Sequence, residues 1–320
     1  MIGKMTNWDA KKAFSEFCNY EFIPCIYIDE YWDYHIELIN LTKTWTKFLK
    51  EFTESGFTYE SFYQEYNRIC EEGSKLLLNC TTAEVGSRAY EFMQTINDDT
   101  PLVKAKDLKT GMYIYVDLHN AIDESLKYIG AYNPNFNNTY DIIKSLTPYK
   151  IFHNMKRLRV SIYYYTFAKD RTSYNKLFRI MNGILLTNLH NSSNPDILEI
   201  RKHSKLLSKT PGDTLIYEYN PDISKDIIGE KYTCDGFGYH ILFIDIRRVS
   251  VIGKTTNCIK YINEFGDRYA VYGSHDFARE EFWVPAIKSA FFGDLTEKDL
   301  AVGFEDQIFF HFDPSKIKNI

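Results

Sequence analysis

Asp117 is the first residue whose position suggests chemistry. It closes an apolar run, residues 112–117, that predicts a buried strand, and a helix is predicted directly after it, over residues 120–129. A strand end fixes the direction of a side chain, so a carboxylate there can present its oxygens to a divalent cation. Mg²⁺ suits such a place, because it takes one or two carboxylates and completes its shell with phosphate and water oxygens.

A second carboxylate, Asp213, stands in the predicted turn 210–214. The turn leads into another apolar run, residues 214–219, which predicts a strand that also carries Glu218. Two divalent cations roughly 4 Å apart, held by carboxylates of separate strands, activate an attacking hydroxyl and neutralise a leaving pyrophosphate. We therefore predict that Asp117 and Asp213 bind Mg²⁺ or Mn²⁺, with Glu218 as a reserve ligand.

The segment between these two acids is the most basic part of the chain, and it covers the predicted helices 151–167 and 172–189 and the residues between them. Lysine and arginine side chains on such helices can bind a triphosphate or the phosphate backbone of a nucleic acid. The basic residues are Lys156, Arg157, Arg159, Lys169, Arg171, Lys176 and Arg179.

With these features, residues 105–220 resemble the palm and fingers of template-dependent polymerases. The first motif of that family is an apolar strand that ends in Asp and passes into a helix, as at Asp117, and the fingers carry Arg or Lys on helices. Residues 212–214, Gly-Asp-Thr, are similar to the hairpin of the family B polymerases. The resemblance implies a palm-like fold and nucleotidyl transfer assisted by two metal ions. The substrate-binding candidates are then Arg159 and Lys176 for the triphosphate, with Arg157 and Arg171 beside them.

The hairpin departs from both polymerase families. Family B hairpins usually carry another Asp two positions after the first, where this chain has Leu215. Family A hairpins have Asp-Glu, whereas here Asp213 is followed by Thr214. The sequence therefore leaves three alternatives: an active polymerase, a degenerate palm without activity, and an ordinary helix cap at Asp117 with an ordinary turn residue at Asp213.

A second motif, Asp-Gly-Phe-Gly-Tyr-His at residues 235–240, is similar to the Gly-x-Gly-x-His motif of archaeo-eukaryotic primases. In that family the histidine contacts a nucleotide phosphate, and two acids lie two positions apart on an earlier strand. Here Asp117 is followed at that distance by His119. A glycine turn ahead of a strand is the simpler interpretation of residues 235–240, and a lone histidine such as His119 is more often structural than a metal ligand.

Composition restricts the class of protein. Apolar residues make up 44% of the chain and charged residues 25%, which is typical of a folded globular protein. The net charge of −5 argues against a cationic nucleic-acid coat protein, although a local basic groove is compatible with it. The chain has no run of 18 apolar residues and no apolar signal core near its start, so we expect neither a membrane span nor secretion.

The cysteines and aromatic residues point to a compartment and a source. The six cysteines form no Cys-x-x-Cys pair, so we expect reduced thiols and a cytoplasmic protein rather than a zinc ribbon. The chain has 25 Tyr and 23 Phe, an excess that is typical of an AT-rich genome and of aromatic cores. We therefore expect a viral or phage protein that acts in the host cytoplasm.

The distribution of elements predicts an α+β fold. Residues 1–100 read as a helical N-terminal region, a break is predicted at residues 97–101, and residues 101–320 read as a mixed region with a largely antiparallel, palm-like sheet. Helices are predicted at 9–20, 31–52, 59–78, 82–96, 120–129, 140–146, 151–167, 172–189, 277–290 and 296–302, and strands at 112–117, 214–219, 239–252, 257–264, 268–272 and 307–312.

The leading prediction is a polymerase-like nucleotidyltransferase that binds nucleic acid and a nucleoside triphosphate. One alternative is a non-catalytic virion or interaction protein that binds partners or itself through its aromatic residues. Another is a nucleic-acid-binding module without catalysis, which would retain the basic helices. Asp117 and Asp213 discriminate among them, because only a palm requires these two side chains to converge on one accessible place.

Overall fold

The computed structural model describes residues 2–18, 26–95, 108–210, 213–232, 238–273, 280–304, 307–311 and 313–320. Within these ranges the chain has an α+β architecture with a largely antiparallel sheet, which confirms the predicted fold class. The first part of the chain is helical. Its helices are α1 (Ile2–Ala13), which continues as the π-helical turn Phe14–Cys18, α2 (Asp29–Leu38), α3 (Thr42–Glu54), α4 (Tyr59–Leu76) and α5 (Thr82–Met93).

Short sequence signals set the ends of these helices. Thr58 and Ser61 cap α4 reciprocally, because each side chain accepts a hydrogen bond from the other residue's backbone N–H. A second capping box starts α5 at Thr81. The single helix predicted over residues 31–52 is divided into α2 and α3 at Asn40, whose φ of 57° is left-handed and incompatible with a continuing helix.

The second part of the chain alternates helices and strands around one sheet. Its helices are α6 (Ala121–Tyr128), α7 (Thr139–Leu146), α8 (Lys150–His153), α9 (Lys156–Thr166), α10 (Arg171–Asn191), α11 (Pro195–His203) and α12 (Glu280–Phe291). Its strands are β1 (Gly111–Leu118), β2 (Leu206–Lys209), β3 (Thr214–Glu218), β4 (Gly229–Tyr232), β5 (Gly238–Val251), β6 (Lys254–Ile262), β7 (Arg268–Gly273), β8 (Ala301–Phe304), β9 (Gln307–His311) and β10 (Ile317–Asn319).

The main sheet has the order β2-β3-β1-β5-β6-β7, and the long strand β5 also pairs with β4 and β10. All these pairings are antiparallel, and β8 and β9 form a separate hairpin. Strand β1 therefore lies between β3 and β5. Its residue Asp117 is opposite Thr214 on one side and His240 on the other.

The two faces of the sheet have different surroundings. Ile114, Val116 and Leu118 of β1 belong to a large core that also contains buried residues of α6, α9 and α10. Tyr115 belongs to a smaller cluster on the opposite face. Because side chains alternate along a strand, Asp117 lies on the same face as Tyr115, near the end of β1.

The helical N-terminal region shares its core with the rest of the chain. Trp32 and Trp45 lie with ring centroids 5.0 Å apart, and Phe14 and Phe48 lie 5.2 Å apart. The same hydrophobic cluster continues through α7 and α9 to α12 and to β5, β7 and β10. The boundary predicted at residues 97–101 lies outside the described residues. On both sides of it, the chain contributes to this common core.

Several predicted elements differ from the observed ones. The helix predicted over residues 151–167 is interrupted at residues 154–155, between α8 and α9. The chain after Asn194 begins with helix α11 before it turns to strand, because the Asn194 side chain accepts hydrogen bonds from two backbone N–H groups and Pro195 starts the helix. Part of the helix predicted over residues 296–302 is strand β8 instead. The short strands β2, β4 and β10 had not been predicted.

None of the helices in the described part of the chain is both long enough and apolar enough to cross a membrane.

Candidate functional site

Asp117 and Asp213 converge on one cavity. Both line a cavity of about 600 Å³ at the end of strand β1. The Thr214 hydroxyl donates a hydrogen bond of 2.7 Å to Oδ1 of Asp117, and the Leu118 amide donates one of 2.9 Å to the backbone carbonyl of Asp213. The pairing of β1 with β3 therefore fixes the two carboxylates next to each other, although they lie far apart in the sequence.

The two carboxylates influence each other's ionisation. Burial, together with the negative charge of Asp117, raises the pKa of Asp213 to about 7. Burial also raises the pKa of Asp117, and the hydrogen bond from Thr214 and the charge of Lys156 oppose that rise. Two like charges held this closely repel each other. A bound cation would remove the repulsion and favour the doubly ionised pair.

Two cationic side chains of α9 line the same cavity. Lys156 is the first residue of α9, and Arg159 lies one turn further along the helix. The Arg159 guanidinium donates a hydrogen bond to Oδ1 of Asn120 and lies 5.0 Å from the ring centroid of Tyr140. Asn120 itself has a left-handed φ of 50°, which turns the chain from β1 into α6. Arg159 is thus held at the cavity that Asp117 lines, and Lys156 joins it there.

Two histidine–glutamate pairs form the other wall of the cavity. His240 of β5 lies 2.9 Å from Glu264, and His119 lies 3.4 Å from Glu230 of β4, measured from Nε2 to the nearer carboxylate oxygen. Asp117 of β1 pairs with Thr214 of β3 on one side and with His240 of β5 on the other. His240 in turn pairs with Glu230 of β4. These four residues therefore form a row across the sheet.

Gly238 explains part of the glycine motif that precedes His240. A Cβ atom at Gly238 would lie 3.2 Å from Cβ of His119 and 3.1 Å from the ring of Tyr232. Few side-chain contacts are this short, so a larger residue would displace one of these neighbours. The glycine thus allows His119 to approach β5. Residues 235–237 of the motif lie outside the described part of the chain.

Other predicted site residues lie elsewhere. Lys176 donates a hydrogen bond of 3.2 Å to the carbonyl of Gly86 in α5, and Arg171 lies 5.1 Å from the ring centroid of Tyr164. Arg157 is exposed on α9 and does not line the cavity. The structure therefore places these three basic residues outside the acidic site.

Glu218, the predicted reserve ligand, is also remote from the two aspartates. It is exposed at the far end of β3, opposite Tyr113, and it does not line the cavity. It lies four positions after Thr214, or roughly 13 Å at about 3.3 Å per residue of strand. Glu218 and Lys176 are therefore not brought to the site that contains Asp117.

The pair of aspartates fits a metal that takes few protein ligands. Among the residues that the structure describes, no group of three or more His, Cys, Asp or Glu side chains is arranged to hold a metal ion. Mg²⁺ and Mn²⁺ prefer carboxylate oxygens, and Mg²⁺ in particular binds through one or two carboxylates plus substrate phosphates. Asp117 and Asp213 satisfy that requirement only if a phosphate-bearing substrate supplies further ligands.

Some of these residues have a sequence signal. The strand and turn patterns indicate Asp117 and Asp213, and the resemblance to polymerases implies Arg159, whereas Lys156 belongs only to a basic segment. Glu230 and Glu264 have no sequence signal, because strand pairing brings them to the site. Comparison of the chain with protein families, with curated proteins and with solved structures found no significant match, so its function is inferred from the geometry of this site.

Proposed function

We propose that this chain is a palm-type nucleotidyltransferase, in which Asp117 and Asp213 hold divalent cations and Lys156 and Arg159 bind the triphosphate of a nucleotide. One observation carries the proposal: two carboxylates from neighbouring strands share one cavity with two cationic side chains of α9. The resemblance of residues 105–220 to palm and fingers supports it. Nucleic acid is the implied second substrate, and the host cytoplasm of a virus or phage is the implied place of action.

The residues of the cavity have distinct roles in this reaction. A hydroxyl oxygen of the growing strand forms a bond to the α-phosphorus and gives its proton to water, and the bond from that phosphorus to the pyrophosphate oxygen breaks. Bound Mg²⁺ would lower the pKa of the hydroxyl and offset the charge of the pyrophosphate. The Thr214 hydroxyl positions the carboxylate of Asp117 to hold such a cation, and the backbone of β1 positions Asp213.

Lys156 and Arg159 supply positive charge to the phosphates. Arg159 presents a planar guanidinium that can donate two parallel hydrogen bonds to one phosphate, and its contacts with Asn120 and Tyr140 hold it in place before substrate binds. Glu264 lies 2.9 Å from Nε2 of His240 and fixes the ring of His240 at the cavity. We assign His240 a phosphate contact in the cavity.

Calorimetric titration with Mn²⁺ tests the proposal. The native chain should bind Mn²⁺ with an affinity that increases when a non-hydrolysable nucleoside triphosphate is present, and the double variant Asp117→Asn, Asp213→Asn should lose both effects. Glu218→Gln is the matched control, since it removes an exposed carboxylate from the same strand pair, and it should behave like the native chain. A primer-extension assay then tests transfer itself.

Two results would count against the proposal. If the native chain binds no Mn²⁺ with or without nucleotide, Asp117 and Asp213 are a structural pair, and an interaction protein becomes the better interpretation. If nucleic acid binds in a salt-dependent way but the double variant binds it unchanged and no extension occurs, the chain is a binding module without catalysis.

A further inference from the structure

A second cavity, of about 290 Å³, adjoins the cavity of the two aspartates. The two cavities share Ala121, Lys156, Arg159 and Asp213. Their shared wall is thus charged. Away from that wall, the second cavity is lined by apolar and aromatic side chains of α6, α9 and α10: Ile122, Val160, Tyr163, Tyr164, Tyr174, Phe178 and Met181.

Three of the four aromatic rings that line this second cavity lie close together. The ring centroid of Tyr174 lies 5.4 Å from that of Tyr164 and 5.0 Å from that of Phe178, the latter at an interplanar angle of 90°. Tyr174 is buried with 4% of its surface exposed, whereas Tyr164 is 45% exposed although it lines the cavity. Tyr164 therefore lines the cavity with a partly exposed ring, one face of which Arg171 covers at 5.1 Å from the centroid.

This arrangement matches a ligand with an aromatic part at one end and an anionic chain at the other. The anionic chain would lie over Lys156 and Arg159 and reach the metal-binding carboxylates. The aromatic part would then enter the second cavity. Cavities that hold small molecules are mostly apolar, with a few polar groups that set orientation.

We propose that the second cavity takes the base of the nucleotide, which stacks on Tyr164 while its triphosphate crosses Lys156 and Arg159 to Asp117 and Asp213. This inference rests on the proposed function and extends it, because the base is held by protein rings rather than by pairing with a template alone. Stacking on an aromatic side chain tolerates any base, and a larger ring system stacks better. The chain should therefore bind nucleotides without a template and prefer purines by a few-fold.

The test compares three ligands on the full chain in the presence of Mg²⁺ and without nucleic acid: ATP, CTP and inorganic tripolyphosphate. ATP should bind about tenfold more tightly than tripolyphosphate, which is what one stacked base contributes. CTP should fall between them. Tripolyphosphate carries more charge than ATP, so electrostatic attraction alone would give the opposite order.

Neighbouring tyrosines provide a matched pair of variants. Tyr164→Ala should reduce the ATP affinity to that of tripolyphosphate and leave tripolyphosphate binding unchanged, whereas Tyr164→Phe should retain the native difference. Tyr165→Ala is the control, since Tyr165 is 43% exposed on the same helix but points to Asn67, 3.4 Å away. It should bind all three ligands like the native chain.

The outcomes separate this inference from the proposed function. Equal affinities of the native chain for ATP and tripolyphosphate, or equal effects of the Tyr164 and Tyr165 changes, would overturn the base pocket while the metal-triphosphate site stands. Absence of binding for all three ligands would overturn both. A thermal melt of each variant shows whether a loss of binding reflects unfolding.

Discussion

The hydroxyl of Thr214 lies 2.7 Å from Oδ1 of Asp117, so the first residue of β3 directly orients the carboxylate at the end of β1. Thr214 is buried, and it follows Asp213 immediately in the chain. The two consecutive residues Asp213 and Thr214 thus contribute one carboxylate to the site and position the carboxylate of Asp117.

Replacement of this hydroxyl should weaken metal binding. Thr214→Val keeps the shape of the side chain but removes the hydrogen bond, so the pKa of Asp117 should rise further and its carboxylate should lose its orientation. A hydrogen bond to a charged group is worth about 1.5–3 kcal/mol, and we expect the affinity for Mn²⁺ to fall about tenfold or more. Thr214→Ser should bind like the native chain, and an unchanged affinity in Thr214→Val would show that the contact is incidental.

The raised pKa of Asp213 predicts a pH dependence of stability. In the unfolded chain an aspartate ionises near pH 4, whereas in the folded chain the pKa of Asp213 is about 7, so the folded state binds the extra proton between these values. The contribution of Asp213 to stability should therefore fall as the pH rises from about 4 to 7. Asp213→Asn should raise the melting temperature at pH 8 by a few degrees and change it little at pH 4. An equal shift at both pH values would contradict the raised pKa.

The same pKa predicts how metal affinity depends on pH. Metal ligands must be deprotonated, so binding to the pair should strengthen as the pH rises through about 7 and should release a proton. Titration of Mn²⁺ at pH 6 and pH 8 in buffers of different ionisation enthalpy measures both effects. A pH-independent affinity with no proton release would exclude Asp213 as a ligand.

Two arginines of α9 should differ in their effect on nucleotide binding. Arg159→Ala removes a guanidinium that lines the cavity, and we expect the affinity for a Mg²⁺-bound triphosphate to fall roughly ten- to a hundredfold. Arg157→Ala removes an exposed guanidinium of the same helix and should change it less than twofold. Because both changes alter the net charge equally, a similar loss in both variants would indicate general electrostatic attraction.

The buried carboxylate of Asp123 should be essential for stability. It accepts hydrogen bonds from the amide and hydroxyl of Thr139 and from the hydroxyl of Tyr163, and thereby joins α6 to α9. Asp123→Ala leaves these donors without their acceptor and should cost about 3 kcal/mol or more in denaturant unfolding. Glu124→Ala is the control, since Glu124 forms only an i,i+3 pair with Lys127, worth about 0.5 kcal/mol or less. Similar losses in both variants would contradict this role.

Local sequence patterns predicted the part of the site that depends on local structure. The apolar run before Asp117 predicts β1, and the turn at Asp213 predicts the entry to β3, so the directions of both carboxylates follow from short segments. Their convergence needs the additional fact that β1 and β3 are neighbours in the sheet. No local sequence pattern fixes that pairing.

The positions of Glu230 and Glu264 at the cavity could not be predicted from the sequence, for a physical reason. Glu230 reaches the cavity because the four-residue strand β4 pairs with β5, and Glu264 reaches it just beyond the end of β6. Such pairings join distant segments and have no periodic signature in a single short strand. Likewise, Lys156 faces the cavity only because the chain breaks between α8 and α9, where the apolar periodicity predicts one continuous helix.

The central place of β1 in the sheet has a consequence for biosynthesis. Both neighbours of β1 follow it in the chain, so β1 leaves the ribosome with two unpaired edges and waits for β3 and then β5 to be made. Unpaired edges and exposed apolar faces favour aggregation of incomplete chains. We therefore expect chaperones that bind the nascent chain to improve the yield of folded protein, because the acidic cavity forms only after β3 and β5 have been made.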